Sequence, residues 1–289
     1  MPGSWTFAAT VAILSAGQGT DPPGAAALAP DNLQITLLPG VWLPRLDGKS
    51  SLGPAVNQDI RLAAQLDLDR SEPTVNIELS IRKHERWEII LSGMDFSTDS
   101  AGSFSGNATF GSLDLLDGDP FQATFDITSV AVELSFGAFR PFTRDQERVA
   151  ELANRSQEGR YIAELTVAPL LAIRYVDVKQ VLTVGGGREV TGGEWAGLLA
   201  GLQITLDYRP EQDIPVFKML RLQGAVGAGP ALGGEGGTMW QVRGGVTIQI
   251  TEQFGLMVGY RLLELDVETD DYALHGGLQG LFLAGSLRF

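Results

Sequence analysis

From Leu33 onward, apolar and polar side chains alternate with a period of two rather than the 3.6 of a helix. The segment 74–82 shows the pattern most simply, with one apolar face formed by Val75, Ile77, Leu79 and Ile81. The same alternation runs through the segments 33–43, 194–209 and 239–250. Because successive side chains of a strand point to opposite faces, the sequence predicts an all-β protein made of half-apolar strands.

Two features of these strands favour a membrane barrel over a soluble sheet. Many run for about eleven residues or more, whereas soluble strands average about five or six, and a tilted strand needs ~9–11 residues to cross a bilayer. Their polar faces also carry full charges, which suit a lumen behind a lipid-facing wall. The charged side chains predicted to face this lumen are Glu78, Glu133, Glu164, Arg174, Arg221, Arg243 and Arg288. A soluble sandwich or ligand-binding barrel, with its apolar faces turned inward, is the alternative.

The alternation predicts a closed antiparallel transmembrane β-barrel of about ten strands. The predicted strands cover residues 32–43, 73–83, 86–97, 121–139, 160–176, 194–208, 216–228, 236–250, 253–267 and 275–289. Twelve strands, with 60–68 and 103–110 added, or eight strands are the alternatives.

The predicted connections alternate in length, as the two ends of a membrane barrel require. Short periplasmic turns are expected at 83–85, 209–214 and 251–252. Long outer loops are expected at 44–72, 98–120 and 177–193, and the Gly-rich run 224–237 is interpreted as a flexible outer loop. The connection 140–159 breaks this rule, because it is long, would face the periplasm and is predicted to form a short polar helix.

The fourth predicted strand contains a phase slip. Its apolar residues occupy odd positions from Phe121 to Ile127 and even positions from Val130 to Phe136. One extra residue near 128–129 would restore the register, so the sequence predicts a β-bulge there, or two separate strands that meet at this point.

Residues 1–29 precede the alternation and include the apolar run 5–16, which has the length of a secretory signal core. Small residues follow the run, although no Lys or Arg precedes it. We therefore predict a signal peptide or a disordered N-terminus over 1–29 and a barrel domain over 32–289.

The overall charge narrows the possible partners and cofactors. A formal net charge of −14 repels phosphates and argues against nucleic acid. The chain has no Cys and two His, so disulfides and cysteine nucleophiles are excluded and a transition metal would lack ligands. The acidic clusters at 114–119 and 266–271 offer weak Ca²⁺ ligands at most. We predict no metal and no cofactor.

The final strand carries a further signal. Leu281, Leu283, Leu287 and Phe289 share one face, and a terminal Phe after apolar residues at alternate positions resembles the strand signal that the barrel assembly machinery recognises in outer-membrane proteins.

The chain also resembles bacterial outer-membrane β-barrel proteins of the porin-like, opacity-protein-like kind. The resemblance is strongest in the segment 259–289, GYRLLELDVETDDYALHGGLQGLFLAGSLRF, and extends to the first strand, LPGVWLPRLDG. Two departures are Leu262 in place of an aromatic residue and a Gly-Gly pair in place of Gly-Pro after His275. The resemblance implies a barrel in the cell outer membrane, favoured as a monomer, inserted by the assembly machinery and surrounded by lipid and lipopolysaccharide.

The function of such a barrel depends on its lumen. If the predicted charges pair, they plug the lumen and leave a structural or surface-interaction role; if they line opposite walls, they form a narrow passive pore. We favour the plug and predict no catalysis. The alternative is a barrel hydrolase in which His275, at the outer rim after Asp270 and Asp271, activates water or a Ser. His84 lies in a predicted turn, where a solvated role is expected.

Overall fold

The computed structural model describes residues 33–53, 59–83, 87–144, 161–210 and 218–289. The predicted signal segment, His84 and most of the predicted polar helix lie outside these residues. The described elements are β1 (Leu33–Leu52), β2 (Ile60–Arg61), α1 (Leu62–Leu66), β3 (Thr74–Lys83), β4 (Trp87–Ser103), β5 (Ala108–Phe110), β6 (Leu113–Leu115), β7 (Pro120–Phe136), β8 (Phe139–Arg144), β9 (Tyr161–Val184), β10 (Gly187–Pro210), β11 (Met219–Leu232), β12 (Gly236–Gln249), β13 (Phe254–Glu268) and β14 (Tyr272–Arg288). No helix in this part of the chain is long and apolar enough to span a membrane.

Ten long strands close into one antiparallel barrel, which confirms the predicted fold class. The ring order is β1, β3, β4, β7, β9, β10, β11, β12, β13 and β14, and β14 pairs with β1 to complete it. The strand β8 continues the ladder of β7 along β9 after an irregularity. The alternatives of eight and twelve strands are wrong, because 60–68 forms β2 and α1, and β5 and β6 form a separate two-stranded sheet.

The pairing fixes the tilt of the strands. A path that starts at Val176 on β9 and moves from each residue to its partner on the next strand returns to β9 at Glu164. The register therefore shifts by 176 − 164 = 12 residues around the barrel. A shift of this size in a barrel of ten strands tilts the strands by about 40° from the barrel axis. Long strands are therefore needed to span the same height that an upright strand would span with fewer residues.

An apolar belt surrounds the outside of the barrel. Its outward side chains include Val41, Leu43, Val75, Ile77, Leu91, Val130, Val132, Leu171, Ile173, Leu198, Leu202, Ile204, Val226, Leu256, Val258, Leu281 and Leu283, all exposed. Aromatic residues border the belt at both ends, with Trp87, Phe136, Tyr208 and Phe254 at one and Tyr175, Trp240 and Tyr260 at the other. An apolar band between aromatic girdles around a polar interior is the arrangement of a transmembrane barrel. The alternative of a soluble barrel with inward apolar faces does not fit it.

The belt stops at a common level. Beyond it the outward positions become polar or charged on successive strands, at Arg45, Asp95, Thr128, Asp177, Glu194, Glu264 and Gln279. Four of these residues are direct neighbours across the sheet, because Asp95 pairs with Thr128, Thr128 with Asp177 and Asp177 with Glu194. The strands continue into water at this end, which we call the outer half. The opposite end, where β1 begins and β14 ends, is called the periplasmic end.

The phase slip in β7 marks this boundary. The predicted β-bulge is wrong, because β7 keeps a continuous register with both β4 and β9 through residues 128–129, and β7 is a single strand there. The inward positions remain odd throughout; what changes is their chemistry. Phe121 to Ile127 face the interior of the outer half, whereas Val130 to Phe136 face lipid. The apolar face of β7 is therefore the inner face in the part of the strand beyond the membrane, and the outer face in the part within the membrane.

The interior of the outer half is an apolar core. Trp42, Phe96, Phe125, Val176, Trp195, Leu265 and Leu274 contribute to it from the barrel wall. Leu62 and Leu66 of α1, with Phe110 and Leu115 of the β5–β6 hairpin, join the same core from segments folded over the end of the barrel.

Two predicted outer loops are strands. The segment 177–193 lies mainly in β9 and β10, which join through a two-residue turn in which Gly185 and Gly186 have positive φ angles of 57° and 88°. Most of the Gly-rich run 224–237 also lies in β11 and β12. Glycine content suggested flexibility at both places, but here it supports a tight turn and close strand packing.

Leu202→Arg tests the belt. Leu202 is 49% exposed near the middle of the belt on β10, so an arginine there would enter hydrocarbon, and we expect a loss of about 2–4 kcal/mol in the free energy of unfolding. The matched control is Val190→Arg on the same strand, because Val190 is 53% exposed and faces outward beyond the belt. Urea titration in lipid vesicles measures both changes. Equal losses for the two variants would contradict the assignment of the belt to lipid.

Candidate functional site: the lumen and its two ends

Five charged side chains meet in the middle of the lumen, and we call them the central network. Glu78 Oε2 lies 2.6 Å from Arg261 Nη2 and 3.6 Å from Arg243 Nη1. Glu133 Oε2 lies 3.0 Å from Arg243 Nη2, and Glu133 Oε1 lies 3.8 Å from Arg174 Nη2. The five residues come from β3, β7, β9, β12 and β13, so the network braces the walls across the lumen.

Neutral groups complete the hydrogen bonds of the central network. Gln241 Oε1 accepts from Arg174 Nε at 3.0 Å, and Gln241 Nε2 donates to Glu133 Oε1 at 3.0 Å. Arg261 Nη1 donates to Asn76 Oδ1 at 2.8 Å, and its guanidinium carbon lies 4.5 Å from the centre of the Phe282 ring. Buried charges are retained when they are paired and hydrogen-bonded in this way.

A second set of ion pairs lies at the periplasmic end of the lumen. Glu88 accepts from Ser80 Oγ at 2.6 Å, Gln203 Nε2 at 2.8 Å and Arg82 Nη2 at 3.2 Å. Arg221 donates to both carboxylate oxygens of Asp207, at 2.6 and 2.8 Å. The Nε of Arg140 lies 2.7 Å from Oε1 of Glu164. A cavity of about 860 Å³, open solvent included, is lined by six of these residues: Arg82, Glu88, Glu164, Gln203, Asp207 and Arg221.

The structure brings four of the seven predicted lumen residues together and separates the other three. Glu78, Glu133, Arg174 and Arg243 belong to the central network, whereas the following lie toward the periplasmic end: Glu164, Arg221 and Arg288. The sequence analysis did not predict Arg261 as a lumen residue. The inward positions that follow it on β13 are Leu263 and Leu265, which lie in the apolar core, so this face does not look polar in the sequence. Asp207 and Glu88 could have been found by extending the parity argument to every charge on the polar faces.

Specific contacts, as well as the apolar core, attach the β5–β6 hairpin to the barrel at its outer end. Ser112 donates its backbone N–H to Glu189 Oε1 at 2.9 Å, and its hydroxyl contacts the same oxygen. The backbone N–H of Gly111 donates to the carbonyl of Leu52 at 3.0 Å. These contacts fasten the β5–β6 hairpin to β10 and β1, on two sides of the opening.

The outer half carries a strong negative charge. The described residues beyond the belt (45–53, 59–73, 95–128, 177–194, 233–238 and 264–279) include 20 Asp and Glu and 6 Lys and Arg, so the local formal charge is 6 − 20 = −14. Partial burial, together with the nearby carboxylates of Glu194 and Asp126, raises the pKa of Asp177. Burial likewise raises the pKa of Glu264, which also faces Asp47 and Asp266. The wall at this level is therefore acidic and self-repelling.

His275 lies on the outside of this wall. Its Nδ1 contacts Oδ1 of Asp266, and its cross-strand neighbours are Asp266 and Lys49. It shares an outward parity with Gln279 and Leu281, so it does not face the lumen. No Ser is among the immediate cross-strand neighbours of His275 in the described chain.

Two further groups of predicted residues are placed by the structure. Leu281, Leu283, Leu287 and Phe289 face outward, toward lipid, and their role as an assembly signal stays a prediction. Within the described residues, no group of three or more His, Cys, Asp and Glu side chains is arranged to hold a metal ion, including the acidic clusters at 114–119 and 266–271.

The belt, its aromatic girdles and the charged interior identify the class of protein. A lipid-facing closed sheet with an ion-paired polar lumen satisfies every backbone group inside a bilayer, as transmembrane barrels of the outer-membrane type do. The protein is an outer-membrane β-barrel.

Neither a protein-family model nor a curated protein sequence matches the chain. Among solved structures it is similar to Ail, the attachment invasion locus protein of Yersinia pestis, with 12% identity, coverage of 89% of this chain and 98% of that chain, and a TM-score of 0.35. It is also similar to the outer membrane protease OmpT from Escherichia coli (6%, 89% and 97%, TM-score 0.43) and to the Pseudomonas putida toluene transporter TodX (10%, 90% and 90%, TM-score 0.25). The fold therefore rests on the strand pairing and the belt, because TM-scores of this size support no closer relationship.

Glu133→Gln tests the central network. The substitution leaves Arg174 and Arg243 without one carboxylate in a nearly buried site, and we expect a loss of about 3 kcal/mol in the free energy of unfolding. The control is Glu164→Gln, whose partner Arg140 is 38% exposed, so a change of less than about 1 kcal/mol is expected. Denaturant titration in detergent compares the two. A Glu133→Gln variant as stable as the control would show that the network adds nothing to folding.

The attachment of the β5–β6 hairpin to Glu189 should respond to acid. The hydrogen bonds from Ser112 lower the pKa of Glu189 below its ordinary value of 4.5. A depressed folded pKa contributes stability above the unfolded pKa, and this contribution is lost as the pH falls through the folded value. We therefore expect the amide protection factors of the β5–β6 hairpin, measured by hydrogen exchange, to fall below about pH 4.5. Glu189→Gln should remove this pH dependence and Glu235→Gln should keep it; the reverse pattern would contradict the role of Glu189.

Proposed function

We propose that this protein is a sealed, non-catalytic outer-membrane barrel with a structural or surface-interaction role. The observation that carries the proposal is the pair of barriers in series along the barrel axis. A solute entering from outside would first meet the apolar core and the segments folded over it, and then the cross-paired central network. The acidic outer half is the surface that such a protein presents to its surroundings.

The apolar core is the first of the two barriers that a solute from outside would meet. Trp42, Phe96, Phe125 and Trp195 are each no more than 2% exposed at the level where the strands leave the membrane. Hydrophobic constrictions exclude water and ions by dewetting. The central network adds a second obstacle, because an ion would have to displace arginines held by Glu78 and Glu133.

Single-channel recording in planar bilayers tests the seal. Protein whose mobility shifts on boiling in SDS gels, and which is therefore folded, is expected to show no steady conductance steps. The paired variant Glu78→Gln/Glu133→Gln should remain silent, because the apolar core is untouched. Steady steps in the wild-type protein that change in ion selectivity in this variant would instead establish a narrow pore through the lumen.

A variant of His275 tests the proposal that the barrel has no catalytic activity, because the alternative of a hydrolase depends on this residue. An outward-facing His–Asp pair on an exposed wall lacks the enclosed, water-excluded setting that strengthens catalytic electrostatics. His275→Asn should leave phospholipid and lipid A unchanged over time, as the wild-type protein does. Hydrolysis by the wild-type protein that is abolished in His275→Asn would establish the hydrolase alternative, and Lys49→Gln controls for the loss of a neighbouring polar contact.

The lipid partners of the outer wall also follow from its charge. We propose that Asp95, Asp177 and Glu194, at the edge of the belt, meet lipopolysaccharide phosphates through divalent cations, since direct contact of like charges is repulsive. Chelation with EDTA should release lipopolysaccharide that copurifies with the protein. Retention of the same amount after chelation would show that cations do not bridge this contact. Insertion by the assembly machinery and a monomeric state complete the proposal.

A further inference from the structure

The periplasmic end of the lumen contains more arginine than its carboxylates can pair. Arg82, Arg209 and Arg221 line the cavity at this end. Arg288 lines an adjoining cavity of about 410 Å³, open solvent included, that shares Glu88 and Arg221 with the first. Arg288 is close enough to Arg221, Arg209 and Arg82 for their charges to repel it, and the carboxylate of Asp207 offsets part of this repulsion.

Each carboxylate that lines the larger cavity already has an arginine partner. Glu88 is paired with Arg82, Asp207 is held at both oxygens by Arg221, and Glu164 is paired with Arg140.

Two guanidinium groups remain after these pairs are formed. Among the described residues, no carboxylate lies within ion-pair distance of Arg209 or Arg288. The guanidinium of Arg288 lies against the side-chain amide of Gln34, whose oxygen can accept from it when the amide is turned toward Arg288. Gln34 lines the same cavity as Arg209. The surplus positive charge is therefore directed at one place, beside Gln34, although the protein as a whole is strongly acidic.

We propose that this cavity binds an oxyanion, a phosphate or carboxylate group, carried by a periplasmic molecule. A guanidinium presents a planar fork of N–H donors that matches the oxygen spacing of both groups, and its charge strengthens each hydrogen bond. Arg209 and Arg288 contact the oxyanion and Gln34 positions Arg288. The ligand enters from the periplasm, because the cavity lies at the periplasmic ends of β3, β4, β9 and β10.

The site differs from the central network in the balance of its charges. Glu78 and Glu133 occupy the guanidinium groups around them, so that network has no comparable free fork. The oxyanion site is also independent of the seal, because binding at the periplasmic end requires neither conduction nor closure of the outer end. Conductance and binding can therefore fail separately.

Isothermal titration of the full chain in non-ionic detergent tests the proposal. The probes are inorganic phosphate, acetate and, as a control for ionic strength, chloride. Wild-type protein should bind phosphate or acetate more tightly than chloride, and Arg209→Gln/Arg288→Gln should weaken that binding at least tenfold. The matched control is Arg45→Gln/Arg70→Gln, which removes the same charge from the outer half and should stay within twofold of the wild type.

The results distinguish a phosphate from a carboxylate ligand, and distinguish loss of binding from loss of folding. Preference for phosphate over acetate would assign the group as a phosphate, and the reverse would assign it as a carboxylate. Each variant is first checked for a mobility shift on boiling, and Arg209→Lys/Arg288→Lys provides a charge-conserving variant that should bind more tightly than the glutamine pair. No binding to the wild type, or equal losses in the glutamine pair and the outer control, would overturn the proposal.

Discussion

The strands of this barrel pass from hydrocarbon into water, and a strand that does so must exchange the chemistry of its two faces at the height where the lipid ends. Within the bilayer the outer face is apolar because no water is present to solvate polar groups, and the inner face is polar. Beyond the bilayer the outer face is solvated and the inner face must supply a hydrophobic core of its own. The position of this exchange on successive strands determines where the belt ends, where the apolar core begins and which charges meet in the lumen.

The alternation of the sequence predicted a closed barrel of about ten strands, with eight and twelve left open, and an inward direction for the charged residues. It was insufficient at the boundary, because a change in the chemistry of a face and a change in register produce the same phase slip in one strand. The slip at 128–129 could be resolved only when β4 and β9 placed Asp95 and Asp177 beside it. A comparison of neighbouring predicted strands for polarity exchange at a shared height would have found it.

The lumen shows a similar limit. Parity predicted that Glu78, Glu133, Arg174 and Arg243 point inward, but parity gives no height along the barrel. Their meeting depends on the shift of twelve residues around the ring, which arises from pairing between strands distant in sequence. The contribution of Arg261 was hidden for a related reason, since its neighbours of the same parity belong to the apolar core. The pattern of side chains along single strands therefore identified members of the central network, but it did not predict which of them meet in the lumen.

The exchange of faces also has a kinetic consequence. To reach the outside, the outer half must cross the hydrocarbon during insertion, and its folded wall carries Asp95, Asp126, Asp177 and Lys179 on the surface that would touch lipid. Each such charge is costly at the centre of a bilayer. The free-energy cost of crossing is therefore lowest before this part of the wall has formed. Once the apolar core has formed on the far side, the same charges would have to re-enter the hydrocarbon for the barrel to leave the membrane. The charged outer half therefore adds a kinetic barrier to extraction, so the lifetime of the barrel in its membrane depends on this barrier as well as on its equilibrium stability.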